Sequence, residues 1–93
     1  MTDKTLGEYL RDEDAELRRA AALGLALRGR TEHLGRIIEL LLDAQPTVER
    51  AAHAALYQLS GKDFGPPVNA TEAEKTGAVA SWRRWLEDTP RSP

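Results

Sequence analysis

The sequence predicts an all-α domain made of two antiparallel helix pairs and one closing helix, about five helices in total. The 93 residues include fourteen alanines and thirteen leucines but only five valines and isoleucines together. Because alanine and leucine favour helices whereas β-branched residues favour strands, this balance argues against a sheet. A chain of this length forms one small domain with a modest core, here predicted over residues 1–88.

The chain also repeats itself at an offset of 31 residues, and such a period is the signature of stacked helical units. Residues 10–30 align with residues 41–61. The identical pairs are Leu10/Leu41, Asp12/Asp43, Arg19/Arg50, Ala20/Ala51, Ala21/Ala52 and Leu25/Leu56. Each unit is therefore predicted to contain a short helix, an Asp-containing turn, a longer Ala-rich helix and a glycine stop.

The first helix pair spans about residues 3–29. Its short helix covers residues 3–10 and its longer helix covers residues 15–28. Asp14 is a suitable N-cap for the longer helix, and Gly29 can adopt the left-handed conformation that ends a helix. The apolar residues of the short helix recur at spacings of three and four, and they are Leu6, Tyr9 and Leu10.

The second helix pair spans about residues 31–61. Thr31 is predicted to cap a helix over residues 32–42, which is apolar on more than one face, as is typical of a helix enclosed by neighbours. Pro46 suits the first position of the next helix, predicted over residues 46–59 and ended by Gly61.

The rest of the chain predicts an irregular loop, a closing helix and a polar tail. Two glycines and two prolines forbid regular structure in residues 61–70. Thr71 and Glu74 form a capping-box pair at the start of a helix over residues 71–87. Residues 89–93 form the tail, which is expected to fray.

The repeated segments LRDEDAELRRAAALGL (residues 10–25) and LLDAQPTVERAAHAAL (residues 41–56) resemble HEAT repeats. In each, an Asp-bearing turn is followed by Leu or Val, then by arginine, Ala-Ala and leucine. The second segment departs from the pattern at Glu49, where the family more often has arginine. The stretches LSGKDFG and AVASWRRW resemble the ending of some bacterial HEAT-containing proteins. The resemblance implies a short α–α superhelix from a family of mostly scaffolding proteins that bind other macromolecules.

Four residues form the predicted interaction surface: Arg18, Glu49, His53 and Tyr57. In HEAT-like stacks the second helix of each pair lines the concave side, and residues spaced by four along such a helix share one face. Residues that differ between the two units are freer to serve recognition than residues that match. The sequence therefore predicts a small groove of mixed charge, with an ordinary solvated face as the alternative.

Matching residues are expected to serve the architecture instead. Arg19 and Arg50 match, as do Asp12 and Asp43, and we expect them to form a structural ladder of arginines and aspartates along the stack. Such a ladder would connect successive units without taking part in recognition.

Three aromatic residues are expected to close the far end of the stack. Phe64 lies in the irregular loop and is predicted to fold over the open end as a buried side chain. Trp82 and Trp85 are three residues apart and so share one face of the closing helix. They are predicted to be core residues, although aromatic and basic residues together also occur at nucleic-acid sites.

The near end of the stack carries only the short first helix. Its apolar residues Leu6, Tyr9 and Leu10 are therefore predicted to form an exposed association edge. This edge would let the chain pair with a second copy or with another protein, so a homo-oligomer is the second functional hypothesis.

Composition argues against catalysis and cofactors. The chain has no cysteine, and its two histidines, His33 and His53, lie on different predicted helices. Neither belongs to a metal-binding or catalytic motif. We therefore expect no enzyme activity, no metal and no cofactor.

Charge and hydropathy define the expected partners. A net charge of −2 gives no bulk basic footprint, which argues against nucleic acid as the partner. Ten arginines against three lysines keep nucleic-acid binding open as the weakest hypothesis. No run of 18 apolar residues and no signal-peptide pattern occur, so we expect a cytoplasmic protein that binds a protein partner and no membrane.

Overall fold

The computed structural model describes residues 2–89, and every regular element in this stretch is helical. The elements are α1 (Asp3–Tyr9), α2 (Ala15–Leu27), α3 (Leu34–Glu39), a 3-10 turn (Leu40–Leu42), α4 (Pro46–Ser60) and α5 (Glu72–Asp88). The predicted all-α class is confirmed. None of these helices is both long and apolar enough to cross a membrane. Residues 90–93 of the predicted polar tail lie outside the described residues.

Side chains just before three of the helices determine where those helices begin. The Thr2 hydroxyl accepts a hydrogen bond from the N–H of Thr5, and the Asp14 carboxylate accepts one from the N–H of Glu16. At α5, Thr71 forms a full capping box, with reciprocal side-chain and backbone bonds to the third helical residue. Each bond satisfies a backbone donor that has no partner inside the helix.

Glycines end α2 and α4. Gly29 has a φ of 66° and Gly61 a φ of 73°, and this left-handed conformation is costly for residues with a Cβ. The turn at Gly29 lets the N–H of Arg30 donate to the carbonyl of Leu25 at 3.0 Å. Both helices therefore end with satisfied carbonyls, as the sequence pattern predicts.

The helix predicted over residues 32–42 is shorter in the structure. It begins at Leu34, and no side chain caps it, since His33 occupies the cap position. Thr31 contributes only its backbone carbonyl, which accepts from the N–H of Leu34 at 3.4 Å. After Glu39 the chain tightens into the 3-10 turn, which buries Leu40 and leads directly into the turn before α4.

The core is centred where α2 packs against α4, the most extensive contact between two helices in the described part of the chain. Ala21, Ala22 and Ala52 are fully buried, and such small side chains let the two helix axes approach closely. Leu25 and Leu56, which occupy equivalent positions in the two units, fill the space beside them. The Ala-rich segments are therefore packing surfaces.

Helix α5 closes the stack by packing against α3 and the 3-10 turn. Trp82 is fully buried, and its indole Nε1 donates to the Gly65 carbonyl 2.8 Å away. The rings of Phe64 and Trp85 meet Trp82 edge to face, with centroids 4.8 and 5.7 Å away. Phe64 is 38% exposed, so it covers the rim of Trp82 and is not the buried side chain expected from the sequence.

The predicted association edge at the near end is wrong. Leu6 and Leu10 are buried against α2, and Tyr9 is half-buried against the same core. Gly24 of α2 leaves room for this packing, because a Cβ at that position would lie 3.3 Å from a methyl carbon of Leu6, which is closer than most Cβ contacts. The short first helix thus turns its apolar side inward, and these three residues leave no apolar edge for a second copy.

Replacing the buried tryptophan tests how much the closing helix contributes to stability. We expect Trp82→Ala to lower the free energy of unfolding by about 3–5 kcal/mol, because it leaves a cavity in the core. It also leaves the Gly65 carbonyl without its hydrogen bond. Urea unfolding followed by circular dichroism measures the loss. Domains of this kind have a total stability of about 5–15 kcal/mol, so the effect should be large.

Val68→Ala is the control, since Val68 lies in the loop that precedes α5 and is highly exposed. We expect it to change stability by less than about 0.5 kcal/mol. A Trp82→Ala loss as small as that of the control would show that α5 does not stabilise the stack.

Candidate interaction cleft

The stripe formed by Arg18, Ala22 and Ala26 on α2 faces the second helix pair. Arg18 bonds to Asp43 in the turn before α4, and Ala22 and Ala26 are buried. The stripe therefore lies in the interface between the two units. Arg18, predicted to lie on an open interaction surface, is instead part of this interface.

Arg18 and Asp43 form a bidentate ion pair across that interface. The Arg18 Nε donates to one carboxylate oxygen at 2.8 Å, and its Nη2 donates to the other at 3.1 Å. Its Nη1 donates to the carbonyl oxygens of Asp12 and Glu13, at 2.8 and 3.0 Å. The side chains are only 15% and 9% exposed, so the pair is shielded and its donors are already used.

The predicted ladder is wrong in its choice of arginine. Arg19 pairs with Glu16 on its own helix, and the Nε of Arg50 donates to the carbonyl of Pro46 at 3.4 Å. Successive residues on a helix differ in direction by about 100°. The residue directed at the second unit is therefore Arg18, and its neighbour points along the helix surface.

The charges of the pair are stabilised by their mutual contact. Burial raises the pKa of the Asp43 carboxyl, but the Arg18 guanidinium and the Gln45 backbone N–H outweigh burial. The pKa of Asp43 therefore lies below its ordinary value of 3.8. The hydrogen bond to Asp43 raises the pKa of Arg18. Both groups are charged at neutral pH.

On α4 the equivalent stripe begins at Glu49, which occupies the position of Arg18 in the repeat. Its carboxylate lies 3.0 Å from the Nζ of Lys75 on α5. Like the Arg18–Asp43 pair, this pair joins the longer helix of a unit to a segment later in the chain. Here the acidic residue is on the longer helix and the basic residue is on the later segment. The hydrogen bond to Glu49 raises the pKa of Lys75. An ion pair thus attaches the start of α5 to α4.

The middle of the α4 stripe contacts the loop of residues 61–70. The Nε2 of His53 lies 2.7 Å from the Asp63 carboxylate, which also accepts from the N–H of Gly65 at 2.9 Å. These two hydrogen bonds lower the pKa of Asp63. The last residue of the stripe, Tyr57, is 57% exposed. The loop therefore covers the α4 stripe only in part.

A cleft of about 280 Å³ lies between α4 and this loop. It combines charged side chains from the helices with an apolar wall from the loop, and its lining includes Glu49, Arg50, His53, Pro66, Pro67 and Lys75. The structure thus brings together two of the four predicted interaction residues, Glu49 and His53. Arg18 lies in the interface between the units, and Tyr57 lies outside the cleft lining.

Arg50 lines the cleft, and within residues 2–89 its guanidinium has no carboxylate partner. Its counterpart in the first unit, Arg19, is neutralised by Glu16 three residues earlier. In the second unit that earlier position is Thr47. The arginine matches between the units while its partner does not, and a comparison of local charge in the sequence would have identified Arg50 as an arginine without an acidic partner on its own helix.

Lys75, Asp63 and the two loop prolines could not be placed at the cleft from the sequence. Their composition predicts an irregular loop, but no spacing in the sequence shows which way such a loop crosses its helix. The capping box at Thr71 indicates where α5 begins, not what its first turn contacts. These residues could be assigned to the cleft only once the path of the chain was known.

The cleft lining places charged and apolar groups side by side. It offers cationic donors beside an apolar wall, and the carboxylates at its edge already have partners. In the stretch that the structure describes, no group of three or more His, Cys, Asp or Glu side chains is placed to hold a metal ion. A second, shallower hollow of about 340 Å³ lies by Phe64, Arg84 and Trp85.

Comparison with known proteins identifies one match. A family model described as HEAT repeats matches residues 4–75, which is more than half of the chain. The match covers both helix pairs, the loop and the first turn of α5. Neither a curated protein nor a solved structure matches the chain significantly. The resemblance inferred from the repeated segments is confirmed.

Adjacent arginines on α2 provide a test of the connection between units. We expect Arg18→Ala to lower the free energy of unfolding by about 2–3 kcal/mol, because it leaves the shielded Asp43 carboxylate unpaired. Arg19→Ala removes an exposed pair and should cost less than about 1 kcal/mol. Urea unfolding at pH 7 compares the two variants. Equal losses would contradict the structural role assigned to Arg18.

The same ion pair should depend on pH. The pKa of Asp43 is lower in the folded chain than its ordinary value of 3.8. Its contribution to stability is therefore present above that value and lost as the pH falls through the folded pKa. The stability difference between wild type and Arg18→Ala should shrink between about pH 5 and about pH 2, as repeated urea unfolding would show. A difference that stays constant to pH 2 would contradict this expectation.

Proposed function

Because the chain belongs to the HEAT-repeat family, in which protein–protein interaction and scaffolding are common and catalysis is not typical, we propose that it is a non-catalytic protein-interaction module of the cytoplasm. Its binding surface is the cleft face, defined as the lining of the cleft together with Tyr57. Fold alone does not assign a function, so the proposal rests on this surface.

The observation that carries the proposal is the way the two units differ. On α2 the stripe ends in Ala22 and Ala26, which are buried between the units. The equivalent residues of α4 are His53 and Tyr57, one half-buried beside the loop and one 57% exposed. An aromatic side chain that keeps this exposure beside a cleft is a typical anchor for a protein partner.

The alternative hypotheses have less support. Self-association through the first helix needs an apolar edge, and Leu6 and Leu10 are buried. Nucleic-acid binding is typical of surfaces with a basic footprint, but the net charge of the chain is −2 and Arg28 and Arg30 both pair with Asp3, at 2.9 and 2.7 Å. A protein partner at the cleft face is the hypothesis that the contacts favour.

Site-specific photo-crosslinking in the cells that produce the protein tests the surface. A photoreactive benzoylphenylalanine in place of Tyr57 should form an adduct with a protein partner, identified by mass spectrometry. The same group in place of Leu27, which is 84% exposed on α2, is the matched control and should form no such adduct. Arg50→Glu should reduce the yield of the Tyr57 adduct.

Three outcomes would contradict the proposed function. Adducts of equal yield from both positions would show that the cleft face is not selective. Adducts consisting only of a second copy of the chain would favour self-association. Adducts consisting only of nucleic acid would favour the third hypothesis.

A further inference from the structure

We propose that the cleft binds an acidic peptide segment, in which the carboxylate of an aspartate or glutamate side chain bonds to Arg50 and a neighbouring apolar side chain contacts the loop prolines. This inference rests on the proposed function, because it names the kind of partner that the cleft face takes.

The charge of the cleft is the first argument. Glu49 is paired with Lys75 at 3.0 Å, and His53 bonds to Asp63 at 2.7 Å. Within residues 2–89 Arg50 is left as the cleft cation without a carboxylate partner. A guanidinium carries five N–H donors in a planar fork that matches a carboxylate. Arg50 therefore keeps unfilled N–H donors at the cleft, and an anion can accept from them.

The comparison of the units is the second argument. Where the first unit places Glu16 against its arginine, the second unit places Thr47. Arg19 is therefore neutralised within its own helix, whereas the identical residue Arg50 is available beside a cleft. A carboxylate from a partner would restore the contact that the chain itself supplies in the first unit.

The wall of the cleft limits what accompanies the carboxylate. Pro66 and Pro67 have no backbone N–H, and of the two Pro67 is exposed, so this part of the cleft offers apolar contact beside the Asn69 amide. Val68 beside them is highly exposed. A ligand that carries only charge would leave this wall uncovered, whereas a peptide with an apolar residue next to its acidic residue covers it. The ligand is therefore a mixed acidic and apolar segment.

The hydrogen-bond donors in the cleft indicate whether the bound carboxylate belongs to an acidic side chain or to a peptide C-terminus. A peptide C-terminus is usually captured by converging backbone N–H groups, while acidic side chains are recognised by arginine side chains. In the cleft the available donor is a guanidinium, and the N–H of Gly65 already bonds to Asp63.

Fluorescence polarisation with a defined probe tests the inference on the full chain. The probe is a fluorescein-labelled hexapeptide of alternating glutamate and leucine with a blocked C-terminus. We expect saturable binding that weakens as salt is added. A matched peptide with glutamine in place of glutamate should bind about tenfold more weakly, because its contact with Arg50 is no longer charge-assisted.

Variants then locate the contact. Arg50→Gln should weaken binding of the acidic peptide about tenfold, and Arg19→Gln, the matched control in the first unit, should leave it unchanged. Arg50→Lys should retain part of the affinity, since it keeps the charge and loses the planar fork. Because Arg50 is exposed, these variants should unfold at the same urea concentration as the wild type, which confirms that they are folded.

Equal binding of the glutamate and glutamine peptides would overturn the inference, as would full affinity in Arg50→Gln or no binding at millimolar peptide. Preferential, Arg50-dependent binding of a single-stranded oligothymidine would assign the site to nucleic acid instead. A control peptide of glutamine and leucine with a free C-terminus that bound better would assign the site to terminal carboxylates.

If the acidic peptide does not bind while the Tyr57 adduct still forms, the inference fails and the proposed function stands. If the peptide binds while no protein adduct forms at Tyr57, the proposed function fails, and with it the assignment of the acidic peptide to a protein partner.

Discussion

The second helix of each unit has one face that it cannot cover itself, and the rest of the structure depends on how that face is covered. On α2 the face is covered by α4, with alanines in contact and the Arg18–Asp43 pair at one end. On α4 no third helix pair is present within residues 2–89. The loop takes its place on α4, and α5 covers the neighbouring α3 and the 3-10 turn, because a helix pair leaves apolar surface exposed until something stacks on it.

The closure of the second unit is achieved by three contacts of different kinds. Lys75 bonds to Glu49, Asp63 bonds to His53, and the Gly65 carbonyl accepts from Trp82. A loop is narrower than a helix and fills less space, so the closure leaves a cleft where a third unit would have packed. The candidate binding site and the end of the stack are therefore consequences of the same arrangement.

Much of the fold could be predicted from the sequence because periodicity, caps and glycine stops are local signals. Contacts that depend on the direction in which a side chain points could not be predicted in this way. Arg19 was predicted to connect the units because it matches Arg50, yet the connecting residue is Arg18, whose counterpart Glu49 has the opposite charge. The arginine that is identical in the two repeats is therefore not the residue that contacts the next segment. The residue that makes this contact is basic in the first unit and acidic in the second. The burial of Leu6 likewise depends on the glycine it meets on α2, which no spacing reveals.

The central claim is that the loop and α5 substitute for a missing third unit. The most direct test is urea unfolding of a chain ended after Gly61, compared with the full chain by circular dichroism. The account predicts that the shortened chain loses the cooperative transition of the full chain, because α3 and the 3-10 turn lose the helix that covers them. A shortened chain that stays monomeric and unfolds cooperatively at the same urea concentration would contradict it.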